Sequence, residues 1–432
     1  MNKQPGKKKY WFSIETYVHI EVKKNALLLY NPLNGGLLEY NKQEHRDVFR
    51  LVKRLLSPQN LQVVDLRLKE LENPVIASFL ADTRRLFMGE IIESSFSTNK
   101  PVQMMPVLAL KKEAAKLKHD PERSASEEAM KYLNHLAIYI NGQCGQDCDI
   151  CGDGYEQFAC CTKNRSRMDV HMLAGLLREI SGSSIRKLDI LGGNIFRHPQ
   201  YESIMKALAS HPAPKVFHIH YKNVTGLAQE KRAETLRMLT SDAHRVKLLA
   251  PSPLDPVLLK TAIDAVTSAG LPLEVGFIVQ SEEEFVTAEG VIEPLGITEA
   301  AYLPYFNGSN IDFFKENIFS LKEEILEARP QSREILANQK INRINFGSLT
   351  VMPNRRVYAN VNHKCLGTFG IDDLITFAGK ELEQGKSWRK IRAHVSPCKG
   401  CAFVSLCPPI NNYTYAIGRN DLCFRAHIKD KI

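Results

Sequence analysis

The chain has 432 residues, of which 44% are hydrophobic and 24% charged, and its net charge is +9. This composition is typical of a soluble globular protein, and the length favours two or three domains. The basic residues are dispersed and no aromatic-interleaved basic stripe occurs, which argues against a nucleic-acid partner. No apolar run approaches the roughly 20 residues that span a bilayer, and the polar, basic start is unlike a signal peptide. We therefore expect a cytoplasmic protein with no membrane partner.

The first hundred residues predict a small α+β module. Strand-like stretches at 10–22, 26–30 and 37–40 precede helical patterns at 43–56 and 75–88. Asn34-Gly35-Gly36 is a hairpin signal between the second and third strands. The order suggests a winged-helix-like module over residues 1–100. Such a module either recognises a peptide or only caps the next domain, and the sequence leaves both open.

Residues 101–132 are interpreted as a linker, with an exposed charged helix and turn at 111–128. From residue 133 the pattern changes to strands that alternate with helices. The predicted strands are residues 136–140, 187–191, 216–220, 245–249, 273–279 and 301–305. The predicted helices are residues 168–180, 201–210, 227–239, 256–269 and 281–292. This alternation predicts an α/β fold whose parallel sheet is covered by helices. Six strands fit a partial (β/α)6 barrel over residues 133–310, and a doubly wound open sheet is the alternative.

Residues 311–345 are predicted to be charged bridging helices, broken near Pro330. Two short strands at 348–352 and 356–359 surround the Pro353-Asn354 turn and open a C-terminal domain over 346–432. Little other periodicity follows them. A metal is therefore expected to organise this last domain.

The ten cysteines fall into two groups, and the stretch 162–364 contains none. In a reducing compartment, metal or redox use is a better interpretation of such groups than disulfides. The first group is Cys144, Cys148, Cys151, Cys160 and Cys161. The second group is Cys365, Cys398, Cys401, Cys407 and Cys423.

Cys144, Cys148 and Cys151 follow the first predicted barrel strand with CxxxCxxC spacing. Loops at the carboxyl ends of parallel strands are where α/β architectures carry their chemistry. Three thiolates can hold three irons of a [4Fe–4S] cluster and leave the fourth iron open. The spacing alone fits a zinc knuckle or buried turn cysteines equally well. Cys160 and Cys161 are interpreted as free, buried structural thiols.

The second predicted strand ends in Gly192-Gly193-Asn194. With the CxxxCxxC motif before it, this end resembles the radical S-adenosylmethionine (SAM) superfamily, in which a Gly-Gly-Glu-Pro motif receives the SAM amino group. Asn194 stands where the family has an acid, although an amide oxygen also accepts a hydrogen bond from an ammonium group. Ile150 replaces the family's usual aromatic residue. The resemblance further implies SAM contacts from Asn223 and Ser252, after the third and fourth strands.

Cys398, Cys401, Cys407 and Cys423 form a CxxCx5C run plus one distant cysteine, a four-ligand pattern that zinc also satisfies. The pattern resembles the SPASM extension of peptide-modifying radical SAM enzymes, which implies that these four residues ligate an auxiliary [4Fe–4S] cluster. A full SPASM domain holds two clusters. Here the positions of further ligands read Tyr358-Ala359-Asn360 and Ile410-Asn411-Asn412. One auxiliary cluster is therefore predicted, with Cys365 an orphan or a packing residue.

The opening Tyr10-Trp-Phe-Ser-Ile-Glu-Thr-Tyr-Val-His-Ile20, the hairpin Leu29-Tyr30-Asn31-Pro32-Leu33-Asn34-Gly35 and the tail Cys407-Pro408-Pro409-Ile410-Asn411-Asn412-Tyr413 resemble the "pseudo-radical-SAM" SPASM group of double-glycine peptide systems. The chain keeps the three motif cysteines that this group is described as having lost. The resemblance implies a maturase that cleaves SAM, abstracts hydrogen from a ribosomally made precursor peptide and installs a crosslink or another oxidative modification. It also implies an electron donor such as flavodoxin or ferredoxin, and a leader peptide gripped by the N-terminal module. A catalytically inactive relative that binds the peptide or a maturase, and a two-zinc scaffold, are the alternatives. No catalytic acid or base is assigned.

Overall fold

The structure is a computed structural model that describes residues 9–96, 99–103, 130–240 and 243–425. The charged linker helix predicted at 111–128 lies outside the described residues. No helix in these ranges is both long and apolar enough to cross a membrane.

The N-terminal module contains two three-stranded antiparallel sheets and three helices. Its strands are β1 (Lys9–Ile14), β2 (His19–Val22), β3 (Ala26–Tyr30), β4 (Leu37–Asn41), β5 (Val63–Arg67) and β6 (Gly89–Glu93). Its helices are α1 (Arg46–Leu55), α2 (Leu68–Leu71) and α3 (Pro74–Arg85). One sheet has the order β5-β1-β6 and the other β2-β3-β4. The single strand predicted at 10–22 is therefore two strands in different sheets, because a turn closed by the Val18 N–H on the Glu15 carbonyl separates them.

Strand β3 is buried on both faces, which explains why its sequence is an uninterrupted apolar run. Leu27 and Leu29 pack into the core of the N-terminal module. Leu28 and Tyr30 point the other way and pack against the C-terminal domain. The module is thus joined to the far end of the chain by an apolar interface.

The central domain confirms the predicted alternation of parallel strands and helices. Its strands are β7 (His135–Asn141), β8 (Lys187–Gly192), β9 (Lys215–His220), β10 (His244–Pro251), β11 (Leu273–Val279) and β12 (Ala300–Pro304). Its helices are α4 (Gly154–Gln157), α5 (Val170–Glu179), α6 (Tyr201–Ala209), α7 (Tyr221–Thr225), α8 (Gln229–Arg237), α9 (Pro256–Ser268) and α10 (Glu282–Ile292). The six strands are neighbours in chain order and all pair in parallel. A doubly wound sheet, whose strand order would reverse, is therefore wrong.

Side chains that point outward from the strands form the main core beneath the helices, with Leu136, Ile138, Leu188, Ile190 and Phe217 among them. Several helices begin at a capping side chain, as at Asp169, Asp255 and Ser281. These caps help to explain why the predicted helix starts lie within two residues of the observed ones.

After the barrel, the bridging segment is three short helices, α11 (Ile311–Asn317), α12 (Lys322–Glu327) and α13 (Ser332–Asn338). The C-terminal domain adds β13 (Ser348–Val351), β14 (Arg356–Tyr358), β15 (Gly367–Thr368), α14 (Leu374–Glu383) and α15 (Asn412–Ala416). Strand β13 pairs in parallel with β7, so the barrel sheet continues through β14 and β15. The α/β class with a partial barrel is confirmed, while the domain boundaries stay predictions.

Candidate functional site

The cysteine loop, residues 142–151, leaves the carboxyl end of β7. Cys151 lies in a 3-10 turn formed by Asp149–Cys151, and positive φ angles at Gly145 and Asp147 bend the loop before it. Cys144 and Cys148 are half-buried and Cys151 is buried. The first barrel strand thus delivers the three motif thiols to the edge of the sheet where α/β enzymes bind ligands.

A return segment, residues 160–168, brings the chain back along the end of β7. The Gly142 N–H donates to the Ser166 carbonyl at 3.1 Å, and the Met168 N–H donates to the Ile140 carbonyl at 2.9 Å. A β-carbon on Gly142 would lie 2.0 Å from Asn164 Oδ1, so only glycine permits this approach. The segment carries Cys160 and Cys161 back to the cysteine loop.

Both returning cysteines are buried and free, as expected, but their thiols have different neighbours. The Cys161 thiol is in hydrogen-bonding contact with Cys144 and Cys151. Cys160 packs with Ile150 and Tyr305 in an apolar cluster. The sequence did not predict the contact of Cys161 with the motif thiols. Its only signal was the position of the pair just behind the motif.

The three thiols of the loop and the Cys161 thiol influence one another's pKa. The hydrogen bond from Cys161 lowers the pKa of Cys144 to about 7. Hydrogen bonds from Cys148 and then Cys161 hold the pKa of Cys151 far below its usual value. The donors Cys148 and Cys161 have raised pKa values for the same reason. Each thiol of this group therefore titrates under the influence of the others.

His220, the last residue of β9, faces this loop and was missed by the sequence prediction. Its Nδ1 accepts a hydrogen bond from the Lys222 N–H at 3.1 Å. The ring proton is therefore on Nε2, which lies 3.2 Å from Cys148 Sγ. Burial lowers the pKa of His220 to about 4, so the ring is neutral at pH 7 and donates this single N–H to sulfur.

The Gly192-Gly193 end of β8 packs directly on the cysteine loop. Gly192 has a φ of +143°, and a β-carbon on Gly193 would lie 2.2 Å from the carbonyl carbon of Gln143. The Asn194 N–H donates to the Gln143 carbonyl at 2.6 Å. The two glycines are thus required for the contact between strand end and loop. Their predicted contact with SAM stays a prediction.

The three polar candidates lie at successive strand ends. Asn194 is buried, and its Oδ1 accepts the Phe196 N–H at 3.1 Å. Asn223 donates from Nδ2 to Cys144 Sγ at 3.6 Å and accepts from Gln146 at 2.8 Å. Ser252 directly follows β10, one strand further round the sheet. Asn194 and Asn223 are thereby joined to the cysteine loop, whereas their predicted role in binding SAM stays a prediction.

The mouth of the barrel above the loop is packed with apolar side chains. Ile150 and Cys160 contact Leu249, Ile278 and Tyr305 from β10, β11 and the residue after β12. Helix α4 is tied down there as well, because the Tyr305 hydroxyl donates to Asp153 at 2.5 Å. Gln157 exchanges two hydrogen bonds with the backbone of Phe306, at 2.8 and 2.9 Å. The segment after the cysteine motif therefore closes the barrel mouth.

Deeper in the barrel, the buried carboxylate of Asp189 joins three strands. His135 Nε2 lies 2.6 Å from one Asp189 oxygen, and His218 Nε2 and Lys187 Nζ each lie 2.9 Å from the other. Burial by itself would raise the pKa of Asp189, but the hydrogen bonds from His135 and His218 outweigh it and hold the pKa well below its usual range. The carboxylate is therefore ionised at neutral pH.

The second thiol group, Cys398, Cys401, Cys407 and Cys423, is buried in the C-terminal domain. The pKa of Cys407 is raised to about 12, chiefly by burial; Arg392 opposes the shift, and the neighbouring Cys401, Cys423 and Cys398 add to it. The buried Arg392 guanidinium donates to Cys398 Sγ at 3.6 Å. Four thiols close enough to affect one another, with one buried cation beside them, suit a bound metal cluster whose thiolates carry negative charge.

Asparagines lie in the two segments where the SPASM resemblance predicts ligands of a second auxiliary cluster. Asn360 Nδ2 donates to Asn412 Oδ1 at 2.8 Å and to Asn345 Oδ1 at 3.2 Å. Cys365 makes a local contact instead, from its thiol to the Gly367 carbonyl at 3.2 Å. The amide network joins the two predicted ligand positions without any thiol.

Both thiol groups have donor chemistry that fits iron–sulfur clusters. No three His, Cys, Asp or Glu side chains in the described ranges already surround a single metal position. Convergence on one point is not what a [4Fe–4S] cluster needs, because each thiolate binds a different iron. The thiols of the cysteine loop would have to separate to admit such a cluster.

No protein-family model and no curated protein matches the sequence. The structure is similar to Streptococcus suis SuiB bound to the precursor peptide SuiA, with a TM-score of 0.50, 13% identity and coverage of 95% of this chain and 98% of that one. Streptococcus suis SuiB bound to S-adenosylmethionine gives a TM-score of 0.49 with 12% identity, and the match covers 95% of this chain and 97% of that one. Native anSMEcpe with bound AdoMet and Cp18Cys peptide gives a TM-score of 0.44 with 13% identity, and the match covers 70% of this chain and 100% of that one. At this identity, the likeness to SuiB shows a common fold along nearly the whole of both chains.

Proposed function

We propose that the protein is a radical SAM enzyme that modifies a ribosomally made precursor peptide. The main support is the cysteine loop, where Cys144, Cys148 and Cys151 meet at the carboxyl end of the first barrel strand. The glycine pair at the end of β8 packs on the same loop. A zinc knuckle would account for the thiols but not for this strand end.

In this proposal Cys144, Cys148 and Cys151 hold a [4Fe–4S] cluster, and Gly192, Gly193, Asn194, Asn223 and Ser252 hold SAM. The bound cluster would supply one electron, from flavodoxin or ferredoxin, for the reductive cleavage of SAM and hydrogen abstraction from the peptide. Asn223 and His220 orient the loop, because they donate hydrogen bonds to Cys144 and Cys148. The barrel walls exclude water from the reacting centre.

Cys398, Cys401, Cys407 and Cys423 would hold one auxiliary cluster, with Arg392 offsetting part of the thiolate charge. The amide network of Asn345, Asn360 and Asn412 supports one auxiliary cluster instead of two. All ten cysteines are free, which suits the reducing cytoplasm in which we expect the protein to work.

A precursor peptide is supported as the substrate class by the fold shared with SuiB, which was crystallised with such a peptide. A cleft of about 590 Å³ offers a place for the leader. Residues 16–20 line one side, leading into the edge strand β2, and Ile335, Leu336 and Gln339 line the other. An edge strand has free backbone donors and acceptors, so an extended leader could pair with β2.

A catalytically inactive, peptide-binding relative is the second candidate. The packed barrel mouth favours it, because Ile150 and Cys160 lie among the inward-facing side chains at the carboxyl ends of the strands. The amide oxygen of Asn194 also already accepts a hydrogen bond from the Phe196 N–H. Retention of three motif cysteines favours the enzyme, since binding alone would not need them.

Anaerobic iron–sulfur reconstitution followed by SAM and dithionite tests the proposal. We expect about eight irons per chain and 5′-deoxyadenosine from the natural protein. The variant Cys144→Ala/Cys148→Ala/Cys151→Ala should hold about four irons and form none. Equal iron in both proteins, together with no binding of radiolabelled SAM, would support the inactive relative. The binding measurement needs no peptide, so an unidentified substrate does not confuse the result.

A further inference from the structure

A basic pocket on the N-terminal module lies between α1 and the turn before β3. Its volume is about 440 Å³. Within the described ranges no carboxylate lines it. Phe49, which is 3% exposed, is the apolar part of the lining. The polar and charged residues that line the pocket are Asn25, Lys42, Gln43, Arg46, Arg50 and Lys53.

Most of the cations of the basic pocket have no partner within the protein. Arg50 pairs with Asp47 at 3.0 Å, although that carboxylate also accepts a hydrogen bond from Asn73. Lys42, Arg46 and Lys53 are exposed, and none of them forms an ion pair with a residue that the structure describes. The like charges repel one another across the concave surface, and a bound anion would relieve that repulsion. The basic pocket therefore fits an anionic partner.

The basic pocket continues along α1 into the cleft beside β2. Arg46, Arg50 and Lys53 line the pocket and Leu56 lines the cleft, at spacings of four, three and three residues. Residues with these spacings share one face of a helix. The helix covers about 15 Å from Arg46 to Leu56, since each residue adds about 1.5 Å. An extended peptide covers the same distance with about five residues.

The cleft has the opposite chemistry to the basic pocket. Each described residue that lines it is uncharged at neutral pH, including His19, whose pKa is lowered to about 4, chiefly by burial. Its apolar lining residues are Val18, Ile20, Leu56, Ile335 and Leu336. A nucleic acid would bring phosphates to the apolar cleft as well as to the basic pocket. A peptide can place apolar side chains in one and carboxylates in the other.

We propose that the basic pocket binds an acidic segment of the precursor peptide whose neighbouring apolar segment occupies the cleft. This inference rests on the proposed function, which supplies the peptide as the substrate class. The peptide would place its carboxylates on the basic face of α1, about five residues from its apolar side chains. The same charges would exclude basic peptides, because like charges across an interface repel.

Fluorescence anisotropy with synthetic labelled peptides tests the inference without a cluster or SAM. The glutamate probe has about ten residues, with alternating leucine and serine in one half and glutamates in the other. The glutamine probe replaces those glutamates by glutamines. We expect the natural protein to bind the glutamate probe at least about tenfold more tightly at low salt, because each exposed ion pair contributes up to about fivefold. Added salt should remove most of this difference.

Charge reversal locates the binding. Arg46→Glu/Lys53→Glu should lose the preference for the glutamate probe. A probe with lysines in place of the glutamates should bind this variant more tightly than it binds the natural protein, and such a gain requires a folded variant. The matched control is Lys206→Glu/Arg237→Glu, which changes the net charge equally at exposed positions of α6 and α8. Equal losses in the two variants, or no binding of the glutamate probe to the natural protein, would overturn the inference.

Two further probes identify the occupant. A probe without the leucine half should bind at least about tenfold more weakly, because it buries no leucine in the cleft. Equal binding would show that the pocket and the cleft do not share a ligand, which also overturns the inference. A labelled deoxythymidine oligonucleotide that binds more tightly than the glutamate probe would overturn a peptide as the occupant.

Failure of this inference is distinguishable from failure of the proposed function. The charge-reversed variant should keep about eight irons per chain, because the basic pocket is separate from both thiol groups. Unchanged glutamate-probe binding in that variant, together with SAM cleavage by the natural protein, would overturn the inference alone. Charge-dependent probe binding by a natural protein that neither binds nor cleaves SAM would support the pocket and overturn the enzyme.

Discussion

At Gly193 the backbone of β8 touches the backbone of the cysteine loop. The sequence predicted glycines there because a ligand must come close, and the structure shows that the loop itself comes close. Glycine at position 193 is thus required for the contact with the cysteine loop, whereas the motif comparison explains this glycine by contact with SAM. The nearest obstacle is backbone at Gln143, which cannot rotate out of the way as a side chain can.

Gly193→Ala should therefore displace the cysteine loop. We expect the variant to lose most of the first cluster, falling from about eight irons to about four per chain, because its thiols would no longer meet. Gly290→Ala is the matched control, since its β-carbon would meet nothing within 4 Å. It lies within α10 and should be neutral or stabilising by up to about 1 kcal/mol. Full iron loading of Gly193→Ala would contradict the steric argument.

The Asp189 network makes a second prediction at this scale. Asp189→Asn keeps the shape but leaves Lys187 beside a neutral amide and replaces one of the two acceptor oxygens by an NH2 donor, so one of the two histidines loses its acceptor. We expect a loss of about 1–3 kcal/mol in the free energy of unfolding, because a buried hydrogen-bond donor is left without an acceptor. Asp264→Asn, which removes an exposed pair with Lys260, should cost less than about 1 kcal/mol. Urea unfolding measures the free energy of unfolding of both variants. Equal losses in Asp189→Asn and Asp264→Asn would contradict this prediction.

Among the secondary-structure elements, the barrel strands were the most predictable. The predicted range 273–279 coincides with β11, and the other barrel strands begin or end within two residues of their predictions. Long apolar runs between capped helices carry enough local information for this. Strands β5 and β6 and helix α14 were missed. The two strands exist because they pair with β1, a contact that no local pattern encodes.

Strand β3 joins two parts of the molecule, so its substitution should affect both. Leu28→Ala removes a fully buried side chain that packs near Cys401, Phe403 and Cys407. We expect a loss of about 2–5 kcal/mol in unfolding free energy and less iron in the auxiliary cluster. Leu33→Ala, at a side chain that is 71% exposed, should change stability by less than about 0.5 kcal/mol. An unchanged iron content in Leu28→Ala would show that the cluster domain does not depend on this interface.

For the whole molecule, the spacing of the cysteines along the sequence predicted which of them form groups. It did not predict every other residue that contacts those groups. Cys161 reaches the motif through a return segment without regular structure, and His220 reaches Cys148 from a strand far along the chain. Asn360 and Asn412 meet only because the C-terminal domain folds back on itself. Such contacts depend on long-range geometry, which periodicity does not report. The motif residues were found because their chemistry is carried by local spacing.

The interface between the N-terminal module and α13 should make stability depend on pH. Burial, with a smaller effect of Lys23, lowers the pKa of His19 from 6.5 to about 4. The unfolded chain therefore takes up a proton between these values while the folded chain does not, so stability falls as the pH drops from about 6.5 towards 4.

The natural protein should lose about 2 kcal/mol more stability than His19→Gln between pH 7 and pH 5. Urea unfolding at the two pH values measures this difference. The exposed His171→Gln is the control and should follow the natural protein. If His19→Gln loses as much stability as the natural protein between the two pH values, burial does not lower the pKa of His19.

The apolar contact between β3 and the second thiol group also sets an order of events in time. The four thiols are each less than a tenth exposed, and Leu28 and Tyr30 pack in the same cluster as two of them. The ribosome makes that cover near the start of synthesis and the thiols near the end. Iron donors cannot reach sulfur atoms that are already enclosed. If these thiols hold the proposed auxiliary cluster, the metal must enter before Leu28 and Tyr30 cover Cys401 and Cys407, and docking of the N-terminal module is then the later step.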